Sequence, residues 1–308
     1  MTGGRPRVRG YRVEELLGTG GSAQVWRARS CRTGELVALR LLPSERAAEG
    51  RAEAARLQTV DHPNLIGVHE LVTTRGGLVQ VLDHAAGGTL AELVGRRRAI
   101  TAGELIAALV PVASALAALH AAGFVHGDVT PANVLFSADG LPLLADLGVG
   151  PSSRPARAFA DPVAEQGWYT GAAGDVYGLG AVAFFAALGR PPPLPLAAPT
   201  PRAVDEHAAQ LRAALSSLPG AVADVVARGL SLDPGSRGSA LQWALDLRFA
   251  GPASGVDLRA GRHSQPVPLP VITRGARLPA TASVDRSRSR RLRPRSGPRD
   301  TPPRRHVR

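Results

Sequence analysis

Three polar side chains stand at a spacing suited to phosphoryl transfer. Asp128 lies in His126-Gly127-Asp128-Val129-Thr130-Pro131-Ala132-Asn133, and Asp146 opens Asp146-Leu147-Gly148. A carboxylate such as Asp128 accepts the proton of an attacking hydroxyl. Asn133 and Asp146, further along, offer oxygens to the magnesium ions that neutralise a triphosphate. Each short motif alone is a weak signal. Their order, between the strand-like runs Val134-Leu135-Phe136 and Leu143-Leu144-Ala145, is hard to assign to chance.

The elements that must position these groups are visible upstream and downstream. Gly18-Thr19-Gly20-Gly21-Ser22-Ala23-Gln24-Val25 is a glycine-rich stretch whose small residues let backbone N–H groups approach a phosphate. Alone, it reads equally as an ordinary hairpin turn. Val37-Ala38-Leu39-Arg40 and Leu78-Val79-Gln80-Val81-Leu82 have the short apolar character of buried strands. Asp61-His62-Pro63-Asn64-Leu65-Ile66, Gly87-Gly88-Thr89-Leu90, Asp175-Val176-Tyr177-Gly178-Leu179-Gly180 and Leu232-Asp233-Pro234 with Arg237 follow in order.

From about Tyr11 to about Ala250 this succession resembles the eukaryotic-type Ser/Thr protein kinases of bacteria. The resemblance implies an α+β, two-lobed protein-kinase fold, with a small β-rich N-lobe (11–83) and a large helical C-lobe (84–250). It implies Mg-ATP held between the lobes. Asp128 would then be the catalytic base, and Asn133 and Asp146 the Mg2+ ligands. Gly18, Gly20, Ala23, Val25, Ala38, Arg40 and Glu53 would surround the nucleotide, Glu53 as the glutamate of the family's helix C. The backbone of Leu82 to Ala85, with Asp83 and Ala85, would hold adenine. His126, Asp175 and Arg237 would be structural, Asp175 bracing the catalytic loop.

Several positions depart from the family pattern. Arg40 stands where the family has the lysine that bridges phosphates and the helix C glutamate. It keeps the charge and can pair with Glu53, but its planar fork is bulkier than an ammonium. Thr130 replaces a second lysine. The chain has no lysine at all, its 37 basic residues all being arginine. Compositional drift that the site survived and loss of catalysis therefore both stand as readings. Gly127 replaces the arginine that, in many relatives, meets a phosphate on the activation loop. The 149–160 segment is short and rich in Pro, Ser and Arg, with Ser152 and Ser153 available. Loop phosphorylation is thus not the expected switch. Asp161-Pro162-Val163 stands where the family has Ala-Pro-Glu, leaving the partner of Arg237 missing unless Glu165 substitutes.

Composition sets the outer bounds. About 240 kinase-like residues suffice for one two-lobed unit with its own core. The single cysteine, Cys31, cannot form an internal disulfide, and residues 1–10 form a charged arm with no apolar leader. Both point to the cytoplasm. Leu105 to Phe124 is long and apolar enough for a membrane span. A capping-box pattern at Thr101-Ala102-Gly103-Glu104 and a high alanine content suit a buried helix better, so no transmembrane segment is expected. Residues 251–308 carry 14 arginines against three acidic residues, which is nearly all of the chain's net charge of +12. This Pro/Ser/Arg-rich tail is expected to be disordered. Its Arg286-Ser287-Arg288-Ser289-Arg290-Arg291 run suits nucleic acid, anionic lipid or an acidic protein, or serves only to solubilise.

Periodicity and punctuation predict helices over about 44–59, 101–123, 175–188, 204–215, 221–230 and 239–249, with Gly123 and Gly189 as stops. Three functions follow from the pattern. The first is a Ser/Thr protein kinase whose activity Arg40 weakens or preserves. The second is a pseudokinase scaffold that binds nucleotide without turnover. The third is a small-molecule phosphotransferase, because His-Gly-Asp also resembles the loop of aminoglycoside and choline kinases.

Overall fold

The apolar runs at 36–43 and 77–83 become adjacent central strands, and the N-lobe is built outward from them. The computed structural model describes residues 5–19, 23–147, 158–164, 171–195 and 200–259. Strands β1 (Tyr11–Thr19), β2 (Gln24–Ser30), β3 (Leu36–Pro43), β4 (Val68–Thr74) and β5 (Gly77–Asp83) form an antiparallel sheet in the order β1-β2-β3-β5-β4. Side chains alternate between the faces of a strand. On β3, Val37 and Leu39 join Trp26, Val79 and Val81 in an outer apolar cluster, while Ala38 belongs to the large core on the opposite face.

The outer cluster is closed by Val8, only 6% exposed. The Tyr11 N–H donates to the Val8 carbonyl, and the Cys31 N–H to that of Gly10. Residues 5–10, read from the sequence as part of an N-terminal arm, pack against the N-lobe, because the sheet's second apolar face needs a cover.

Pro43 ends β3. A single 3-10 turn, Ser44–Arg46, then leads into α1 (Ala47–Thr59), which starts three residues later than the sequence suggests. Gly50 lets this helix lie close on the sheet. A Cβ there would collide with Leu42 Cδ1.

The C-lobe begins with β6 (Gly88–Thr89) and α2 (Leu90–Arg97) and continues through α3 (Ala102–Ala121), β7 (Val134–Phe136) and β8 (Pro142–Leu144). It ends with α4 (Gly171–Leu188), α5 (Pro201–Ala214), α6 (Gly220–Gly229) and α7 (Ala240–Phe249). Thr101 and Glu104 form the expected capping box on α3. Gly123 and Gly189 stop α3 and α4 at φ +79° and +70°, where a side chain is strained. By length and composition α3 and α4 could each cross a membrane. In the fold, Leu105, Leu109, Val112 and Leu116 of α3 and Val176, Leu179, Val182 and Phe184 of α4 are fully enclosed in the C-lobe core.

Composition assigned residue 251 onward to the tail, but 251–259 lie on the C-lobe as a strap. The Ser254 N–H donates to the Gly103 carbonyl. Glu104 Oε1 accepts the Asp257 N–H at 3.0 Å and Arg97 Nη1 at 2.6 Å. Leu258, 8% exposed, sits where a Cβ on Gly87 would meet it at 2.8 Å. The basic tail proper, 260–308, lies outside the described residues.

Candidate active site

Asp128 is carried on the loop between α3 and β7, and α4 holds that loop from below. One Asp175 oxygen accepts the His126 N–H at 2.8 Å, and the other accepts the Gly127 N–H at 2.7 Å. His120 Nε2 lies 2.7 Å from the first. Gly127 has φ +75°, a conformation that glycine adopts without strain. His126 Nδ1 accepts the Asp128 N–H, so its proton resides on Nε2, which donates to the Ala145 carbonyl at 3.1 Å. Burial holds this imidazole below its ordinary pKa, against the pull of Asp175. A neutral His126 thus ties the Asp128 loop to the backbone just before Asp146.

Asn133 Nδ2 donates to the Asp128 carbonyl at 2.8 Å and to Asp128 Oδ2 at 3.1 Å. Both amide hydrogens are directed at Asp128, which turns the Asn133 oxygen away from it. Burial pushes the Asp128 carboxyl up to about 6, the Asn133 hydrogen bond opposes this, and Asp146 adds to the rise. Asp146 adopts φ +58°, strained for a non-glycine residue, and its side chain is 38% exposed. An amide oxygen and a half-open carboxylate are hard donors of the kind Mg2+ takes when phosphates and water complete its shell. Among the described residues no cluster of three or more acidic, histidine or cysteine side chains forms a closed metal cage. The Asn133 oxygen and the Asp146 carboxylate are donors that fit magnesium.

From the N-lobe, Arg40 reaches into the same space. Its Nη1 lies 2.9 and 2.7 Å from the two Glu53 oxygens, 3.1 Å from Gln80 Oε1 and 3.5 Å from Asp146 Oδ1. The expected Arg40–Glu53 pair is thus formed. Burial works against the Arg40 charge, but Asp146 and Glu53 restore it above its ordinary value. Burial also raises the Glu53 carboxyl, against the pull of Arg40. Thr130 is buried, so no cation stands at that position.

Val25 pairs with Arg40 across β2 and β3, and Ala38 with Leu82 across β3 and β5. Val25, Ala85 and Leu135, each partly buried, rest on the apolar cluster that contains Ala38. Gly18 lies opposite Val25 at an irregularity in the β1–β2 register, with open space where a Cβ would stand. Ala23 directly precedes β2; Gly20 lies outside the described residues. The Asp83 N–H donates to the Gly67 carbonyl, and its carboxylate takes the Gly67 N–H and His69 Nε2. The Ala85 carbonyl accepts the Gly88 N–H.

Two groups escaped the sequence reading. Gln80 is 1% exposed within β5, and its only signal was a polar residue inside an apolar run. The second is Asp161. Arg237 donates to both its oxygens, at 2.5 and 3.0 Å, and also to the Ala173 and Ser231 carbonyls, with its guanidinium over the Tyr177 ring. The partner of Arg237, read from the sequence as missing unless Glu165 supplies it, is thus Asp161. Glu165, Ser152 and Ser153 lie outside the described residues. Breaking such a buried pair costs about 3–5 kcal/mol.

The sequence and the fold both have known counterparts. Residues 11–245 match the protein kinase domain family. The chain is 30% identical to the serine/threonine-protein kinase PkaA of Streptomyces coelicolor, over 82% of this chain and 52% of that one. It is 29% identical to PknA of Mycobacterium tuberculosis, over 59% and 47%. The chain spans about half the length of these curated relatives. A crystal structure of Rad53 1-466 in complex with AMP-PNP superposes with a TM-score of 0.63 at 21% identity, covering 77% of this chain and 64% of that one, and shares the fold. Asp128, Asn133 and Asp146 beneath an Arg40–Glu53 pair, within a span that matches from the first strand to the last helix, make this chain a member of the protein kinase family.

Proposed function

We propose that the chain binds Mg-ATP between its lobes and transfers the γ-phosphoryl group to serine or threonine hydroxyls of proteins, with Arg40 in the role usual for lysine. The observation that carries this reading is the closed set of contacts among Arg40, Glu53 and Asp146, with Asp128 and Asn133 alongside. Phosphoryl transfer asks a protein mainly for position and charge neutralisation.

Asp128 orients the attacking hydroxyl and takes its proton as the new oxygen–phosphorus bond forms and the bond to the ADP oxygen breaks. Its raised pKa brings it closer to neutral pH as a base. Arg40, fixed by Glu53, directs positive charge at the phosphates. Asn133 and Asp146 would hold magnesium, which supplies Lewis-acid neutralisation of the triphosphate. Ala38, Val25, Ala85 and Leu135 give the apolar surface that a purine needs. Gly18, Gly20 and Ala23 leave room for backbone N–H groups at the phosphates, and the backbone at Asp83 and Ala85 meets the adenine edge. The relatives PkaA and PknA are serine/threonine-protein kinases, which favours protein hydroxyls over the aminoglycoside or choline alternative.

The test is transfer of labelled γ-phosphate from Mg-ATP to the protein itself and to a basic protein substrate, beside Asp128→Ala. Label present in the wild type and absent in the variant is expected. Equal background in both, with nucleotide still bound, would overturn transfer and leave the pseudokinase scaffold.

A further inference from the structure

Gln80 is a buried amide in a strand whose neighbours Leu78, Val79, Val81 and Leu82 are apolar and enclosed. A buried amide is costly unless its donors and acceptor are paired. Here they are, and all the partners belong to the clamp or to the helix that carries it. Gln80 Oε1 accepts Arg40 Nη1 at 3.1 Å. Gln80 Nε2 donates to the Gly50 carbonyl at 2.9 Å and to Glu53 Oε2 at 3.2 Å. Arg40 and Gln80 are direct partners in the β3–β5 register, so their side chains leave the same face of the sheet. Gly50 completes the geometry, because its missing Cβ lets the α1 backbone come within reach of the amide.

We propose that Gln80 is a positioning residue: a latch that ties α1 to the sheet and orients Arg40 against Glu53. It does this with both ends of one amide, the oxygen on the guanidinium and the nitrogen on the helix. All of these Arg40 contacts fall on one nitrogen, Nη1, which faces both Glu53 oxygens, Gln80 Oε1 and Asp146 Oδ1. Gln80 Oε1 shares that nitrogen with Glu53 and so helps to fix where it stands. A lysine side chain is one bond shorter and would not place its nitrogen at the same point, so Arg40 and Gln80 act as one unit. Gly127 is consistent with a latch of this kind, since it offers no side-chain cation through which a phosphorylated loop could order the site.

The inference rests on Arg40–Glu53 being the nucleotide clamp, and the test separates the two ideas. Gln80→Met and Gln80→Leu keep the volume and remove the amide; either serves if the other folds poorly. In nucleotide-free protein, hydrogen exchange over 47–59 should quicken about tenfold in these variants while α3 and α4 keep their protection. kcat/KM for Mg-ATP should fall about tenfold. Arg40→Lys should cost several-fold more in the wild-type background than in the Gln80→Met background. Unchanged exchange over 47–59 would overturn the latch, and so would additive effects of the two substitutions. A wild type that binds no Mg-ATP would defeat the phosphotransfer reading, and the exchange measurement alone would then decide the latch.

Discussion

At the scale of single residues, Asp128 makes the sharpest demand. Its carboxyl is pushed up to about 6 by burial, with Asp146 adding to the rise. A base works only when deprotonated, so kcat/KM for transfer should fall as pH drops through about 6, a higher pH than for a carboxylate of ordinary pKa. A pH–rate profile of the wild type should show that acid limb, and any residual activity of Asp128→Asn should lack it. That Asp128, Asn133 and Asp146 come together was legible because their spacing along the chain is itself the signal. Gln80 and Asp161 were not, because each acts through partners that only folding brings near: Gly50 and Glu53 from a separate helix, and Arg237 from 76 residues away. A polar side chain inside Leu78–Leu82 was a visible anomaly, but the sequence did not say what satisfied it.

Among the elements, α4 links packing most directly to chemistry. Its Asp175 holds the loop backbone at His126 and Gly127, and one turn later Gly178 touches Val129. A Cβ on Gly178 would stand 2.9 Å from Val129 Cβ and 3.0 Å from its carbonyl oxygen. Gly178→Ala should therefore push the loop that carries Asp128, since a displacement of well under 1 Å already matters to transfer geometry. We expect kcat to fall by about tenfold or more while the melting temperature shifts by only a few degrees, read from steady-state rates beside a thermal melt. Helices α3 and α4 were legible because a capping signal and glycine stops mark their ends, at Thr101, Gly123 and Gly189, whereas α2, with a box of the same kind at Thr89 and Glu92, was not expected. The late start of α1 was not, because Ser44–Arg46 has helical composition but folds as a 3-10 turn after Pro43.

On the scale of the molecule, the strap at 251–259 moves the edge of the folded unit beyond the 11–245 span that matches the family. Its Pro-, Ser- and Gly-rich composition resembles the tail that follows, so nothing local announced that Glu104, 153 residues earlier, would receive Asp257. Burial alone would raise the Glu104 carboxyl, but Arg97, the Asp257 N–H and Thr101 hold it down at about 2, below its ordinary value. A group with a lowered folded pKa contributes stability above its unfolded value, and that contribution is lost as pH falls through the folded one. Glu104 should thus support the fold fully above about pH 5 and lose that support towards pH 2. Glu104→Gln should flatten this part of an acid-unfolding curve, and a chain ending at Ala250, which loses the Asp257 N–H but keeps Arg97 and Thr101, should flatten it in part, whereas one ending at Arg259 should keep it. Equal curves for all of them would separate the strap from stability.

The Arg40 clamp also decides which reagents can find this site. Probes that report occupied nucleotide sites by acylating an amine need a nucleophilic lysine beside the phosphates, and here a guanidinium, protonated at any working pH, stands there instead. With no lysine anywhere in the sequence, such a survey would pass over the protein even with nucleotide bound. Dicarbonyl reagents, which condense with guanidinium groups, are the matching chemistry, and protection of Arg40 by Mg-ATP would be its signature.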